Sequence, residues 1–202
     1  MGVVKVIIFD VGGVLIENAY IPLLRQLAEE NGLDFTNIKW FAAPFFNQAM
    51  LGQITEAELF EKISQHFGLL ETGEGLDTRI GELFLPIGEV WEYVKQLKDR
   101  YRLAILSDLG SGWIKRHERE FEFAKYFEQL FYSSRLGIKK PDPQLFQHVL
   151  EAMRVTADEC VFIDDKIENV NAARGLGMWG IVYQNPGQLK RDLEQSGVSL
   201  TE

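Results

Sequence analysis

Apolar residues cluster first at Val3-Val4-Lys5-Val6-Ile7-Ile8-Phe9, a run of β-branched and aromatic side chains interrupted only by Lys5. Such a run reads as a strand buried on both faces. It stops at Asp10, and Gly12-Gly13 then permits a tight turn and a close backbone approach to a bound group. From about Glu17 the period changes. Apolar residues recur at helical spacing over 20–30, 37–50 and 55–67, and Thr55-Glu56-Ala57-Glu58 has the form of a capped helix start. Pro22 and Pro44 are expected to break or start helices, and 71–75, Glu-Thr-Gly-Glu-Gly, to form a loop. After Ile87 the two periods alternate. Helices are predicted over 89–100, 113–123, 142–153 and 168–176, and strands over 103–106, 130–133, 161–163 and 180–183.

This order describes a parallel α/β domain, residues 1–16 and 87–202, interrupted after its first strand by an all-helical insert over 17–86. The insert must bury its apolar stripes internally and against the mouth of the sheet. Trp40, Phe41, Phe45, Phe46 and Met50 are therefore expected to form its core or to roof the strand ends.

The 202 residues, 46% hydrophobic, suffice for one core and a small accessory lobe. A net charge of −9 leaves no broad cationic surface for nucleic acid or anionic lipid. Cys160 is the single cysteine, which precludes an internal disulfide, and neither a membrane-length apolar segment nor a signal-peptide pattern is visible. The expectation is a soluble cytoplasmic protein, monomeric or homodimeric, with a small-molecule partner.

In an open parallel sheet, ligands sit outside the carboxyl ends of the strands. The residues predicted there are Asp10, Ser107 with Asp108, Lys140 a little further on, and Asp164-Asp165. Each alone has an ordinary explanation as a turn residue, a helix cap or a solvated charge. Together they are harder to dismiss, because converging carboxylates repel unless a cation neutralises them. A hard, oxygen-ligated ion such as Mg²⁺ suits the cluster, and Lys140 adds positive charge for an anionic substrate.

Asp10-x-Gly12-Gly13-Val14, Leu106-Ser107-Asp108, Gly137-Ile138-Lys139-Lys140-Pro141-Asp142-Pro143 and Ile163-Asp164-Asp165-x-x-x-Asn169 resemble, in order, the four motifs of the haloacid dehalogenase superfamily. The helical insert resembles the small cap of its first subfamily. Gly52-Gln53-Ile54-Thr55-Glu56 and Gly12 are similar to the branch containing bacterial α-glucose-1-phosphate phosphatase and the N-terminal domain of soluble epoxide hydrolase. The resemblance implies a Rossmann-like three-layer α/β/α fold with strand order 3-2-1-4-5. It also implies an Asp10 nucleophile that forms an aspartyl-phosphate, and Mg²⁺ held by Asp10, the Gly12 carbonyl and Asp165, with Asp164 as a further or outer ligand. Phosphate would be bound through Ser107, Asp108 and Gly12, with Lys140 offsetting charge and Asn169 orienting the acidic motif.

One position departs from the family pattern. Family phosphatases usually carry a general acid two residues after the nucleophile, where this chain has Gly12. Such help is typically worth about 10²- to 10⁴-fold, so its loss favours easier leaving groups such as anomeric, acyl or aryl phosphates. Asp108 is expected to cap the following helix rather than replace the acid, and His117 to lie on a solvated helix face. The implied function is a Mg²⁺-dependent phosphatase of a small phosphorylated metabolite. A hydrolytically weak Mg²⁺- and phosphate-binding module, a carbon–halogen hydrolase and a phosphoryl mutase are the alternatives.

Overall fold

The computed structural model describes residues 2–200. Its centre is β1, Val6–Phe9, which is buried at every position. β1 pairs in parallel with β2, Arg102–Ser107, on one side and with β4, Cys160–Asp164, on the other. Outside these lie β3, Gln129–Tyr132, and β5, Trp179–Val182, giving the order β3-β2-β1-β4-β5. Successive strand residues point to opposite faces. Ile7, Phe9, Leu103, Ile105, Val161 and Ile163 therefore enter one core cluster, while Val6, Ile8, Ala104, Leu106 and Phe162 enter another. The first face is covered by α5, Gly88–Leu97, and α10, Pro186–Gln195, and the second by α8, Pro143–Met153, and α9, Ile167–Gly175. These helices complete the three layers that the resemblance implies; in chain order α6, Ser111–Phe121, follows β2 and the short α7, Ser133–Leu136, follows β3.

Between β1 and α5 the chain forms α1, Tyr20–Asn31, α2, Phe35–Met50, α3, Glu56–Phe67, and α4, Gly73–Glu82. The chain leaves and re-enters through a narrow neck: Glu17 N–H donates to Leu85 O at 2.8 Å and Ile87 N–H to Leu15 O at 2.9 Å. Leu23, Leu27, Leu59, Phe60 and Ile80 of the insert share one continuous cluster with the first sheet face. The lobe is consequently packed onto the sheet rather than tethered to it.

Several local expectations are corrected. The stretch 71–75 is not all loop, because α4 begins at Gly73 under a Thr72 cap. A Cβ at Gly73 would meet the Glu61 backbone nitrogen at 2.6 Å, so glycine is what lets α4 start against α3. Helix α2 runs through Pro44 instead of breaking there. Trp40 is 72% exposed and neither roofs nor fills anything, whereas Met50 is buried and Phe41, Phe45 and Phe46 are half-buried. Asp164 is the last residue of its strand rather than the first after it. Among the described residues no helix is long and apolar enough to cross a membrane.

Candidate active site

Asp10 follows β1 directly and is buried, with its backbone N–H donating to Ile163 O at 2.9 Å. Among the described residues its side-chain partners all reach one oxygen. Oδ1 accepts from Val11 N–H at 2.7 Å and Ser107 Oγ at 2.6 Å, and Lys140 Nζ lies 3.0 Å away. Among the described residues no hydrogen bond reaches Oδ2. The arrangement fixes the carboxylate while leaving one oxygen free to ligate or attack. Burial raises the Asp10 pKa, Lys140 opposes that shift and Asp164 adds to it.

Lys140 is held in the middle of the acids. Its Nζ donates to Asp164 Oδ2 at 2.6 Å and to Leu106 O at 3.0 Å, as well as facing Asp10. Burial alone would lower its pKa, but Asp10, Asp164 and Asp108 outweigh it and hold the ammonium charged. Asp164 is saturated: Oδ1 accepts from Lys166 N–H at 2.8 Å, and Asn169 Nδ2 reaches both of its oxygens at 3.0 Å. Its geometry is that of a residue orienting Lys140 and the fourth loop.

Asp165 is different. Its Oδ2 accepts from Asn18 Nδ2 at 3.0 Å, while its buried Oδ1 has no partner. Burial and the Asp10 charge raise its pKa. Ligand oxygens of Asp10, Asp164 and Asp165 all lie within 4.8 Å of one another. A free oxygen on Asp10, an orphaned oxygen on Asp165 and an all-carboxylate donor set fit a hard divalent cation, which would also reverse the upward pKa shifts of Asp10 and Asp165.

The Gly12-Gly13 turn makes this convergence possible. Gly13 has φ +79°, and a Cβ there would lie 2.6 Å from both Asn18 Nδ2 and Asp165 Oδ2. Any side chain would push the first loop away from the fourth. Gly12 lines the pocket with Asp10, and the space its side chain would enter is bounded by Asn18 Oδ1, 3.3 Å from an ideal Cβ.

Two further residues are not where the sequence put them. Asp108 does not cap α6, Ser111–Phe121, whose N-cap is Gly110 without a side-chain bond. Instead Asp108 Oδ1 accepts from Lys140 N–H at 3.1 Å and the residue lines the pocket beside Ser107. Burial raises its pKa, and Lys140 works against that. His117 is not on a solvated face but is 1% exposed, lining the same pocket with neither ring nitrogen bonded. The signal was present in the sequence, because His117 lies four residues after Trp113 and three after Ile114, the two buried residues of that helix face.

The family model of haloacid dehalogenase-like hydrolases matches residues 4–177. The chain belongs to that family. Over 89 residues this haloacid dehalogenase-like chain is 32% identical to a flavin mononucleotide hydrolase of Arabidopsis thaliana, a match covering 44% of the chain and 36% of that relative. It is 26% identical to a sesquiterpene phosphatase of Aspergillus oryzae over 88% of each protein. The fold is shared with a HAD family enzyme of Bacteroides thetaiotaomicron, solved in complex with magnesium and inorganic phosphate. That match has a TM-score of 0.72 at 24% identity and covers 90% of this chain and 94% of the other.

Proposed function

We propose that the protein is a Mg²⁺-dependent phosphatase of a small phosphorylated metabolite, with residues 1–16 and 87–202 as its core and 17–86 as a cap over the strand ends. The observation that carries this reading is the asymmetry of Asp10, whose Oδ1 is held by Val11 N–H, Ser107 and Lys140 while Oδ2 accepts no hydrogen bond among the described residues, in a carboxylate grouped with Asp164 and Asp165 within 4.8 Å. The hydrolases named above, one acting on a flavin nucleotide and one on a sesquiterpene phosphate, support the same chemistry, as does the neighbour with bound magnesium and phosphate.

Asp10 and Asp165, with the Gly12 carbonyl, would hold the metal, and Asp164 would keep Lys140 and the fourth loop in register. Bound Mg²⁺ would supply positive charge against the phosphoryl oxygens. In this reading Asp10 Oδ2 attacks phosphorus, the bond from phosphorus to the leaving oxygen breaks, and water then attacks phosphorus to release inorganic phosphate and regenerate the carboxylate. Lys140 and the Ser107 hydroxyl, both in contact with Asp10 Oδ1, would offset the charge that builds during both displacements.

A carbon–halogen hydrolase would use the same nucleophile, but it has no phosphoryl charge to balance and gains nothing from a carboxylate cluster shaped for a cation. The test is phosphate release from a panel of phosphorylated metabolites with Mg²⁺, with and without excess chelator, using Asp10→Asn as the blank. Wild type is expected to release phosphate from at least one member, and the chelator or the substitution to abolish it. Halide release from a haloacid that survives the chelator would replace this reading with the dehalogenase one.

A further inference from the structure

The pocket facing Asp10 has an inner wall with no part in the phosphoryl chemistry. Phe46, Phe84 and Trp113 stand there with Leu109 and Ala19, and the indole nitrogen of Trp113 is already committed to Asp77 Oδ1 at 2.9 Å. Two polar groups break this apolar surface. The His117 ring is packed edge-on against Phe84 at 4.5 Å, with both nitrogens buried and unpartnered. The Tyr20 hydroxyl is likewise buried without a partner, its ring stacked on Phe46 at 4.1 Å. A buried polar group left unbonded is costly, so two residues that line one cavity and each carry such a group ask for an explanation. Burial lowers the His117 pKa to about 4, so at neutral pH the ring offers one N–H donor and one acceptor nitrogen.

We propose that His117 and the Tyr20 hydroxyl read the leaving group of the substrate, and that this leaving group is a compact aromatic ring carrying a hydrogen-bonding heteroatom on the side away from its phosphate. The inference rests on the phosphatase reading and names its substrate class. The aromatic side chains favour a flat ring over a polyol, because a ring gains contact with Phe46, Phe84 and Trp113 that sugar hydroxyls would have to desolvate against, even though Glu17, Asn18, Asp108 and Lys166 also line the pocket. The cavity of ≈ 70 Å³ holds roughly five waters by the one-probe-sphere measure, which limits the ring to a small one. Gly12 points the same way. Without a general acid beside the leaving oxygen, a phenol-type oxygen that departs as a stabilised anion is favoured over an alkoxide.

The experiment compares kcat/KM, with Mg²⁺, for 4-hydroxyphenyl phosphate, 4-methylphenyl phosphate and α-glucose 1-phosphate. The two aryl esters match in size and in leaving-group strength and differ in one hydroxyl. Wild type is expected to favour the hydroxyl ester over the methyl ester by roughly 10-fold or more, and both over the sugar ester. His117→Phe and Tyr20→Phe, which keep the ring volume, are expected to collapse the aryl ratio to within about threefold of one. A wild-type aryl ratio near one, a ratio that both variants retain, or faster turnover of the sugar ester would overturn the inference while leaving the phosphatase reading intact. Absence of phosphate release from all three would remove the inference together with the reading beneath it.

Discussion

At the scale of single residues the site depends on what is missing as much as on what is present. Gly13 has no Cβ, and its place between Asn18 and Asp165 has no room for one. Gly13→Ala should combine about 1–2 kcal/mol of left-handed backbone strain with displacement of the first loop from the fourth. A shift of about 1 Å between reacting groups costs roughly 100-fold in rate, so the expected result is a loss of that size in phosphate release with a small fall in Tm. His117 gives a second prediction, from its folded pKa of about 4 against an ordinary value of 6.5. Between those pH values the unfolded chain binds a proton that the folded ring refuses, so stability is fully present above pH 6.5 and falls by roughly 3 kcal/mol as pH drops toward 4. Denaturation midpoints of wild type and His117→Phe at pH 7 and pH 4.5 check this, since the variant should lose less on acidification. Asp10, Ser107 and Asp164-Asp165 were legible in the sequence because each is polar at the end of an apolar strand pattern, and Lys140 because it lies in the Gly137–Pro143 motif a few residues beyond the third strand. Asn18 and Tyr20 were not, because a polar residue in a loop or at a helix start reveals nothing until the partner surface is known, whereas the burial of His117 was marked by its spacing from Trp113 and Ile114.

Among the elements, α6 is the one through which the insert reaches the site. Its first turn has no cap of its own; Glu56, buried at the start of α3, supplies one from far along the chain. Glu56 Oε1 accepts from Gly112 N–H at 2.9 Å and from Trp113 N–H at 3.0 Å. A carboxylate at a helix N-terminus satisfies orphan donors and complements the dipole. Glu56→Ala should therefore cost about 1–3 kcal/mol in urea denaturation and release the helix that carries Trp113 and His117, and Glu56→Gln should recover part of it. An unchanged midpoint would show that the cap is incidental. The sequence marked Glu56 only as first-turn acid of α3, which it also is, and its second role has no local signature. Helix α4 escaped notice for a related reason. It carries Gly73, Gly75 and Gly81, poor helix formers, and it exists because Leu76 and Ile80 bury against α3 and its neighbours. In α2 the carbonyl deprived of a donor by Pro44 belongs to Trp40, an exposed residue within reach of water, so the helix continues.

For the whole molecule, alternation of strand and helix after residue 87 was enough to give a parallel sheet, and a site at its carboxyl edge followed from topology. Four loops far apart in sequence meet there because β1 is central, with β2 and β4 pairing on either side in parallel register. The insertion point after β1 brings Tyr20 and Phe46 of the helical lobe into the pocket that Asp10 lines, and the lobe's core merges with one face of the sheet. What the pattern did not give is how closely that lobe closes over the strand ends, since this depends on side-chain packing across surfaces with no periodic relation to one another. In the proposed reaction all of this serves one reactive oxygen, Asp10 Oδ2. That role is tested most directly by quenching the enzyme during turnover of a phosphate ester, reducing it with borohydride, which converts an acyl phosphate to homoserine, and mapping the peptides. Homoserine at position 10, present with substrate and absent without it, is the predicted result; steady phosphate release with position 10 unaltered and the reduced label on another residue would contradict it.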